Sequence, residues 1–229
     1  MSNPRFNPLT IEHGGSNGAS SLLSTHRVLR NTYALLSITL LFSAAVAGIS
    51  ATLKMPHPGL IITLIGYFGL LYATTKLRDS GWGLLAVFGL TGFMGYTLGP
   101  IVSHYLSMPN GHQTVMMAMG GTGAIFLGLS AYALVSRRDF SFMGGFLTAG
   151  ILLAFLAGLA AVFFQIPALS LTVSAAFVLL MSGLILYETS NIINGGETNY
   201  IMATVSLFVS IFNLFVSLLQ ILGFMGGDD

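Results

Sequence analysis

The sequence predicts an all-α fold, that of a polytopic membrane protein with seven transmembrane helices. Charged residues make up only 7% of the 229-residue chain, whereas apolar residues make up 54%. The mean hydropathy is +0.84, and the few charges lie almost entirely between long apolar runs. A soluble domain of this length needs a charged surface that these residues cannot supply. We therefore expect the chain to lie in a bilayer.

The apolar runs have the length that a membrane helix needs, since about 20 helical residues cross a hydrocarbon core. None of them alternates polar and apolar residues as barrel strands do, and in lipid a helix satisfies its own backbone groups. Short connections predict that helices adjacent in sequence are antiparallel. The predicted spans are Tyr33–Leu53, Pro58–Thr75, Trp82–Tyr105, Thr114–Val135, Phe142–Phe164, Ala168–Tyr187 and Tyr200–Phe224.

The segment before the first span has the composition of a disordered tail. Residues 1–20 hold two prolines, three glycines and few apolar side chains, which predicts a disordered cytosolic tail. Residues 21–32 are expected to continue the first helix inward, and residues 21–229 to form one seven-helix transmembrane domain. The first 24 residues show no apolar segment of a cleavable signal peptide, so the first span is expected to act as an uncleaved anchor.

The basic residues predict the orientation of the helices. If the N-terminus is in the cytoplasm, seven basic residues lie on the inner side and only Lys54 lies on the outer side. This asymmetry is typical of cytoplasmic loops, and the odd number of spans then places the C-terminus outside. The inner residues are Arg5, Arg27, Arg30, Lys76, Arg78, Arg137 and Arg138.

The third span contains two devices for packing and bending. Gly95 and Gly99 are four residues apart, and this small-xxx-small spacing permits a close approach to another helix. Pro100 cannot donate a hydrogen bond to the carbonyl of Tyr96, which predicts a kink. Two interpretations stay open: a tightly packed bent helix, or a bend that opens or closes a path.

Glu188 ends the sixth span and is the acidic residue nearest to an apolar run. If the helix continues through Ile192 and Ile193, the carboxyl group lies inside the protein, which makes it a candidate proton sensor. In the alternative interpretation it is a carboxylate at the headgroup level that meets a basic side chain: Lys76, Arg78, Arg137 or Arg138.

The seventh span carries a polar stripe, which we define as Asn199, Ala203, Ser206, Ser210, Asn213, Ser217 and Gln220. The spacing of three and four residues places these small or polar side chains on one helix face. Polar groups are costly against acyl chains, so the stripe should face protein or water. It is either a packing seam with interhelical hydrogen bonds or a hydrated path for ions. In both cases we expect the last helix to pack against several others.

Several classes of function lack the residues that they require. The chain has no cysteine, which excludes disulfides, thiol catalysis and cysteine metal sites. We find no Ser/His/Asp set, HExxH motif, P-loop or dinucleotide fingerprint, and the histidines are scattered over separate segments. No basic stripe indicates nucleic acid. We therefore predict no enzymatic activity, cofactor, metal site or nucleic-acid partner, and membrane lipid as the surroundings.

Three segments resemble the Bax inhibitor-1 family. They are GYTLGPIVSHY (Gly95–Tyr105), LSAYALVSRRDFSFMGGFL (Leu129–Leu147) and YETSNIINGGETNYIMATVSLFVSIFNLFVSLLQILG (Tyr187–Gly223). Together with SLLSTHRVLRNTYALLS (Ser21–Ser37), they are most similar to a bacterial branch known as modulators of the membrane protease FtsH. The resemblance implies a protein of the bacterial inner membrane with the last helix central, wrapped by the other six, and an FtsH-like protease as partner.

The family resemblance also implies an alternative function. Bacterial relatives are described as pH-sensitive calcium leak pathways, with paired aspartates on the sixth and seventh helices as the latch. The corresponding positions here are Glu188 and Ser210. Serine does not ionise near neutral pH, so at most a Glu188–Ser210 hydrogen bond is expected. The resemblance thus favours regulation of a protease, with a calcium or proton leak as the alternative.

Overall fold

The computed structural model describes the backbone of residues 14–226 and the side chains of residues 25–226. This part of the chain forms seven long α-helices and one short 3-10 helix, with no strand. All seven helices are long and apolar enough to cross a membrane, which confirms the predicted fold class. The helices are α1 (Gly14–Thr52), α2 (Leu60–Leu77), α3 (Trp82–Leu106), α4 (Gly111–Ser136), α5 (Gly144–Phe163), α6 (Pro167–Ile193) and α7 (Tyr200–Met225).

Two helices extend well beyond the predicted spans. α1 begins at Gly14, and its membrane-crossing part is Thr25–Thr52, so the basic stretch before Tyr33 continues the helix as expected. α6 continues past Tyr187 to Ile193, and Ile192 is fully buried. The predicted tail, residues 1–20, falls mainly on residues 1–13, which lie outside the described residues. That domain division stays a prediction.

The last helix is the hub of the bundle. α7 packs directly against α1, α3, α4 and α6, and a larger share of it is buried than of any other membrane-crossing helix in the described chain. Its side chains Leu207, Phe208 and Leu214 are almost completely inaccessible. α2 packs on α3 and α5 packs on α6, so these two helices flank the inner group. The central position is as expected, but direct packing involves four helices rather than all six.

Small residues hold α3 close to α1. A side chain added at Gly95 would collide with the main-chain oxygen of Ser43, and one added at Gly99 would meet the carbonyl oxygen of Ala47 at 2.8 Å. At these two positions the backbones meet with no room for a methyl group, as the spacing predicts.

A serine from α1 compensates for the proline in α3. Pro100 has no N–H to donate to the carbonyl of Tyr96, which lies within the membrane-crossing helix. The buried hydroxyl of Ser50 donates to this carbonyl at 3.0 Å. Because unpaired backbone groups are costly in lipid, Ser50 supplies the bond that Pro100 removes, and α3 remains helical from Trp82 to Leu106.

The start of α7 is tied to the loop between α2 and α3. The Oδ1 atom of Asn199 accepts hydrogen bonds from the backbone N–H groups of Ile201 and Met202, which is the geometry of a helix N-cap. Its Nδ2 atom donates to Oδ1 of Asp79 at 2.9 Å and to the carbonyl oxygen of Arg78. One side chain therefore both begins the central helix and fixes its position against α2 and α3.

Candidate functional site

The polar stripe of α7 faces protein and contacts α6 near both of its ends. Ala203 and Ser210 are fully buried. Near the N-terminal end, Ser206 donates a hydrogen bond to Oε1 of Glu188 at 2.7 Å. Near the other end, Gln220 accepts from Ser174 at 2.7 Å and donates to Ser170 at 2.6 Å. The stripe thus forms interhelical hydrogen bonds at two levels of the membrane.

The middle of the stripe is bonded within its own helix. The hydroxyl of Ser210 donates to the carbonyl of Ser206, and the amide of Asn213 donates to the carbonyl of Val209, both at 2.8 Å. Ser217, the next member, is 6% exposed. The Ser210 hydroxyl and one N–H of the Asn213 amide are thus bonded within α7 itself.

The expected Glu188–Ser210 hydrogen bond is wrong, because Glu188 pairs with Ser206. The two helices are antiparallel neighbours, so the last turns of α6 lie beside the first turns of α7. Glu188 is five residues before the end of α6, and Ser206 is six residues after the start of α7. Ser210 is one turn farther along and bonds its own helix instead.

Glu188 does not meet the basic side chains considered from the sequence. In the described part of the chain, one ion pair is found, between Arg78 and Asp79 at 3.4 Å. Glu188 is instead half-buried with a neutral hydroxyl as its partner. Because α6 continues to Ile193, the carboxyl group lies within the helical bundle, as the first interpretation expected.

Glu188, Thr189 and Ser190 form what we call the α6 triplet, and each member contacts a different neighbour. Thr189 is fully buried, with its hydroxyl 3.4 Å from that of Tyr33 on α1 and 3.5 Å from that of Ser130 on α4. Since consecutive helical residues point about 100° apart, three polar residues in a row must face three directions. The α6 triplet therefore joins α6 to α7 through Glu188, to α1 and α4 through Thr189, and to the loop between α4 and α5 through Ser190.

Ser190 holds the connection between α4 and α5. Its buried hydroxyl donates to the carbonyl of Arg138 at 2.9 Å and accepts from the backbone N–H of Phe140 at 3.1 Å. The amide of Asn194 also donates to it. A single side chain therefore satisfies both a donor and an acceptor of the loop backbone.

Sequence reasoning missed Thr189 and Ser190 because it followed one stripe on α7. The signal that could have identified them is the unbroken polar run Glu-Thr-Ser-Asn between apolar residues of α6. Of the other predicted positions, Gly95 and Gly99 lie at the interface of α3 with α1, and Pro100 follows them in the same helix. Among the residues with described side chains, no three His, Asp or Glu groups come together as metal ligands.

These features define a polytopic seven-helix membrane protein whose central helix is held by a polar cluster on its neighbour. The chain belongs to the Bax inhibitor-1 family, because the family model for the inhibitor of apoptosis-promoting Bax1 matches residues 25–227. The resemblance seen in the sequence is thereby confirmed.

Relatives from several bacteria align over nearly the whole chain. The chain is 55% identical to the modulator of FtsH protease YccA of Escherichia coli K12, over 93% of this chain and 97% of the relative. It is 56% identical to an uncharacterized protein of Pseudomonas aeruginosa, over 88% of this chain and 91% of the relative. A membrane protein of Vibrio cholerae is 44% identical over 90% and 93%.

These comparisons also bear on localisation. The relative in Escherichia coli O6:H1 is named an inner membrane protein, and it is 55% identical over 93% of this chain. Together with the seven helices long enough to cross a bilayer, this confirms the expected location in the bacterial inner membrane.

Proposed function

We propose that this protein modulates a membrane-bound quality-control protease of the FtsH type and is not itself an enzyme. The observation that carries the proposal is the 55% identity, over 93% of this chain and 97% of the relative, to a protein named as a modulator of FtsH protease. The partners under this proposal are the protease and membrane lipid.

The hydrogen bonds of the polar stripe favour a regulatory protein with a closely packed bundle rather than an open path for ions. The side chains of Ser206, Ser210, Asn213 and Gln220 bond to α6 or to carbonyls of α7 itself, and that of Asn199 bonds to the loop between α2 and α3. A hydrated path would need polar groups that are free to bind water or an ion along its length. The α6 triplet adds connections from α6 to α1, α4 and the loop after α4, which favours a firmly held bundle.

The proposal assigns the cytoplasmic side to the N-terminus, since the basic residues lie mainly on that side. The segment of residues 1–20, the last seven of which begin α1, is then available for capture by a cytosolic machine, because its polar composition, rich in Gly and Pro, buries little apolar surface. In this view the bundle binds the protease within the membrane, and the tail enters it.

The tail is tested by deleting residues 2–20 in cells that contain the protease. We expect a longer lifetime of the deleted protein and weaker inhibition of proteolysis of a reporter substrate. The matched control replaces the same residues by a Gly/Ser segment of equal length, which keeps the reach of the tail but removes its sequence. Unchanged lifetime and inhibition after deletion would contradict the role of the tail.

Direct association is tested by crosslinking. Because the chain has no cysteine, single cysteines can be introduced on each helix surface and coupled to a photocrosslinker in native membranes. The proposal expects adducts with the protease from one contiguous surface of the bundle. Adducts that never contain the protease, at any position, would overturn the proposed partnership.

A second candidate is a pH-sensitive leak for calcium or protons, favoured by one observation. Glu188 is half-buried inside the bundle and lies at the inner end of the polar stripe, bonded to Ser206. The test measures calcium and proton flux into liposomes containing purified protein, across a range of pH. Glu188→Gln is the sharp variant, because glutamine keeps the size and the acceptor for Ser206 but cannot ionise.

The flux assay tests both the leak function itself and its gating by Glu188. If the parent carries flux and Glu188→Gln carries the same flux at every pH, gating by Glu188 is wrong. If the parent carries none, the leak function itself is excluded.

A further inference from the structure

Two recesses lie between α1 and α4, which make little direct contact with each other. The larger is an apolar cavity of about 640 Å³, with walls from α1, α4 and the C-terminal half of α3 and a floor that includes Phe208, Phe212 and Phe215 of α7. The smaller, of about 360 Å³, lies between Arg30 of α1 and Leu134 of α4.

Both recesses lie on one face of α1. Twelve residues of α1 line one recess or the other. The six named below are spaced by three or four residues, apart from the eight-residue interval between Tyr33 and Leu41, which places them on one helix face. We name the space along this face the α1–α4 seam; the six α1 residues are His26, Arg30, Tyr33, Leu41, Ala44 and Gly48. The rings of Tyr33, which lines the smaller recess, and Phe126, which lines the larger, are 6.1 Å apart between centroids and lie between the two recesses.

The larger cavity is suited to an apolar occupant from the bilayer. At its rim, Leu41 is 73% exposed and Met119 is 59% exposed, so the cavity opens toward the surrounding lipid. Three residues of its lining carry a hydroxyl group, Ser43, Thr52 and Thr122, and the two threonines donate theirs to carbonyls of their own helices. A buried water needs two to four polar partners, which this lining does not offer, whereas an acyl chain needs none.

The smaller recess carries positive charge. His26 and Arg30 are one helical turn apart, both exposed, and both line it. Arginine is permanently charged and binds phosphate through two parallel hydrogen bonds. Half of a bilayer about 42 Å thick corresponds to roughly 14 helical residues. Counted from Arg30, this distance reaches Ala44, which lines the larger cavity.

We propose that the α1–α4 seam binds one anionic phospholipid, with its phosphate at His26 and Arg30 and an acyl chain in the apolar cavity. The charge of the smaller recess selects the headgroup, and the larger cavity holds the chain against α7. The site is independent of the proposed protease partnership, since it is formed by this chain alone.

The test is native mass spectrometry of the full chain released from vesicles of equal parts phosphatidylglycerol and phosphatidylcholine. The parent is expected to retain phosphatidylglycerol in preference. Gly48→Leu and Gly123→Leu place a side chain into open space that lines the cavity. Each should lower lipid retention about tenfold, the effect of losing roughly two buried methylene groups.

The controls match each change elsewhere in the molecule. Gly69→Leu adds the same side chain in open space on the lipid-facing side of α2 and should leave retention unchanged. Arg30→Gln should lower the preference for phosphatidylglycerol about fivefold, the effect of one basic residue near an anionic lipid, whereas Arg27→Gln, outside the recess, should leave it unchanged.

Three outcomes would overturn the proposal. One is a parent that retains no lipid or both lipids equally. Another is equal retention by the Gly48 or Gly123 variants and the Gly69 variant. The third is that the parent forms a dimer and the Gly48→Leu variant does not, which would show that a second copy, rather than a lipid, occupies the seam.

Discussion

Ser206 on α7 and Glu188 on α6 are joined by a 2.7 Å hydrogen bond, with the serine hydroxyl as donor. Ser210, one turn along the same face, donates instead to the carbonyl of Ser206. Two serines of one stripe thus have different tasks, since one links helices and the other satisfies only its own helix. The pair provides a matched comparison for the packing of the central helix.

Ser206→Ala is expected to lower the free energy of unfolding by about 1–2 kcal/mol, because it leaves a half-buried carboxyl group without its partner. Ser210→Ala should change it by less than about 0.5 kcal/mol, since it removes only a local bond to the helix backbone. Both are measured by reversible unfolding in mixed micelles. Equal effects of the two substitutions would show that the interhelical bond does not stabilise the bundle.

Ser50→Ala is expected to destabilise the protein by about 1 kcal/mol, because the carbonyl of Tyr96 loses its donor inside the membrane. In a Pro100→Ala background, residue 100 regains an N–H for this carbonyl, so the same serine substitution should cost less. A double-mutant cycle measures the difference. An unchanged cost in both backgrounds would mean that Ser50 acts independently of Pro100.

Gly95→Ala is expected to lower the free energy of unfolding by about 1–3 kcal/mol, because the added methyl group would push α3 away from the backbone of Ser43. Gly120→Ala, in open space on α4, should instead be neutral or stabilise by up to about 1 kcal/mol through helix propensity. Thermal unfolding of both variants provides the comparison. A destabilised Gly120 variant would show that any alanine disturbs the bundle.

Ser190→Ala is expected to loosen the loop between α4 and α5, because the backbone of Arg138 and Phe140 loses its partner. Hydrogen exchange of the peptide that includes Phe140 should become faster, while α7 remains protected. Ser182→Ala is the control, since that hydroxyl donates to Val178 of its own helix. Similar exchange in this loop for both variants would exclude Ser190 as the group that holds it.

Asn199→Ala is expected to destabilise the protein by about 1–2 kcal/mol, the usual loss for an N-cap, and to separate the start of α7 from Asp79. Asn199→Ser keeps a capping oxygen but is too short to keep the bond to Asp79. If the serine variant is less stable than the parent and more stable than the alanine variant, both the N-cap and the bond to Asp79 contribute to stability. If the serine and alanine variants are equally stable, the N-cap contributes nothing.

Hydropathy and the spacing of polar residues predicted the features that depend on one helix alone. The seven spans, the burial of the polar stripe and the close approach at Gly95 and Gly99 follow from the length and periodicity of apolar and small residues. These patterns are properties of single helices in lipid and can be read locally.

Features that depend on the relative height of two helices could not be predicted in this way. The sequence predicts Ser210 as the partner of Glu188, whereas the partner is Ser206. A shift of one helical turn between α6 and α7 along their axes determines which serine lies beside the carboxyl group. Thr189 and Ser190 were missed because their partners come from α1, α4 and a loop. The α1–α4 seam depends on where two helices fail to meet, which no periodicity encodes.

The α6 triplet has a mechanical consequence. Its three members form hydrogen bonds with neighbours in three directions. A rotation of α6 about its long axis would therefore break all of these bonds together. A working motion that preserves them must carry α6, α7, the contacted parts of α1 and α4, and the α4–α5 loop as one rigid body. Displacement during the protein's action is then left to the flanking helices α2 and α5, which lie outside this locked group.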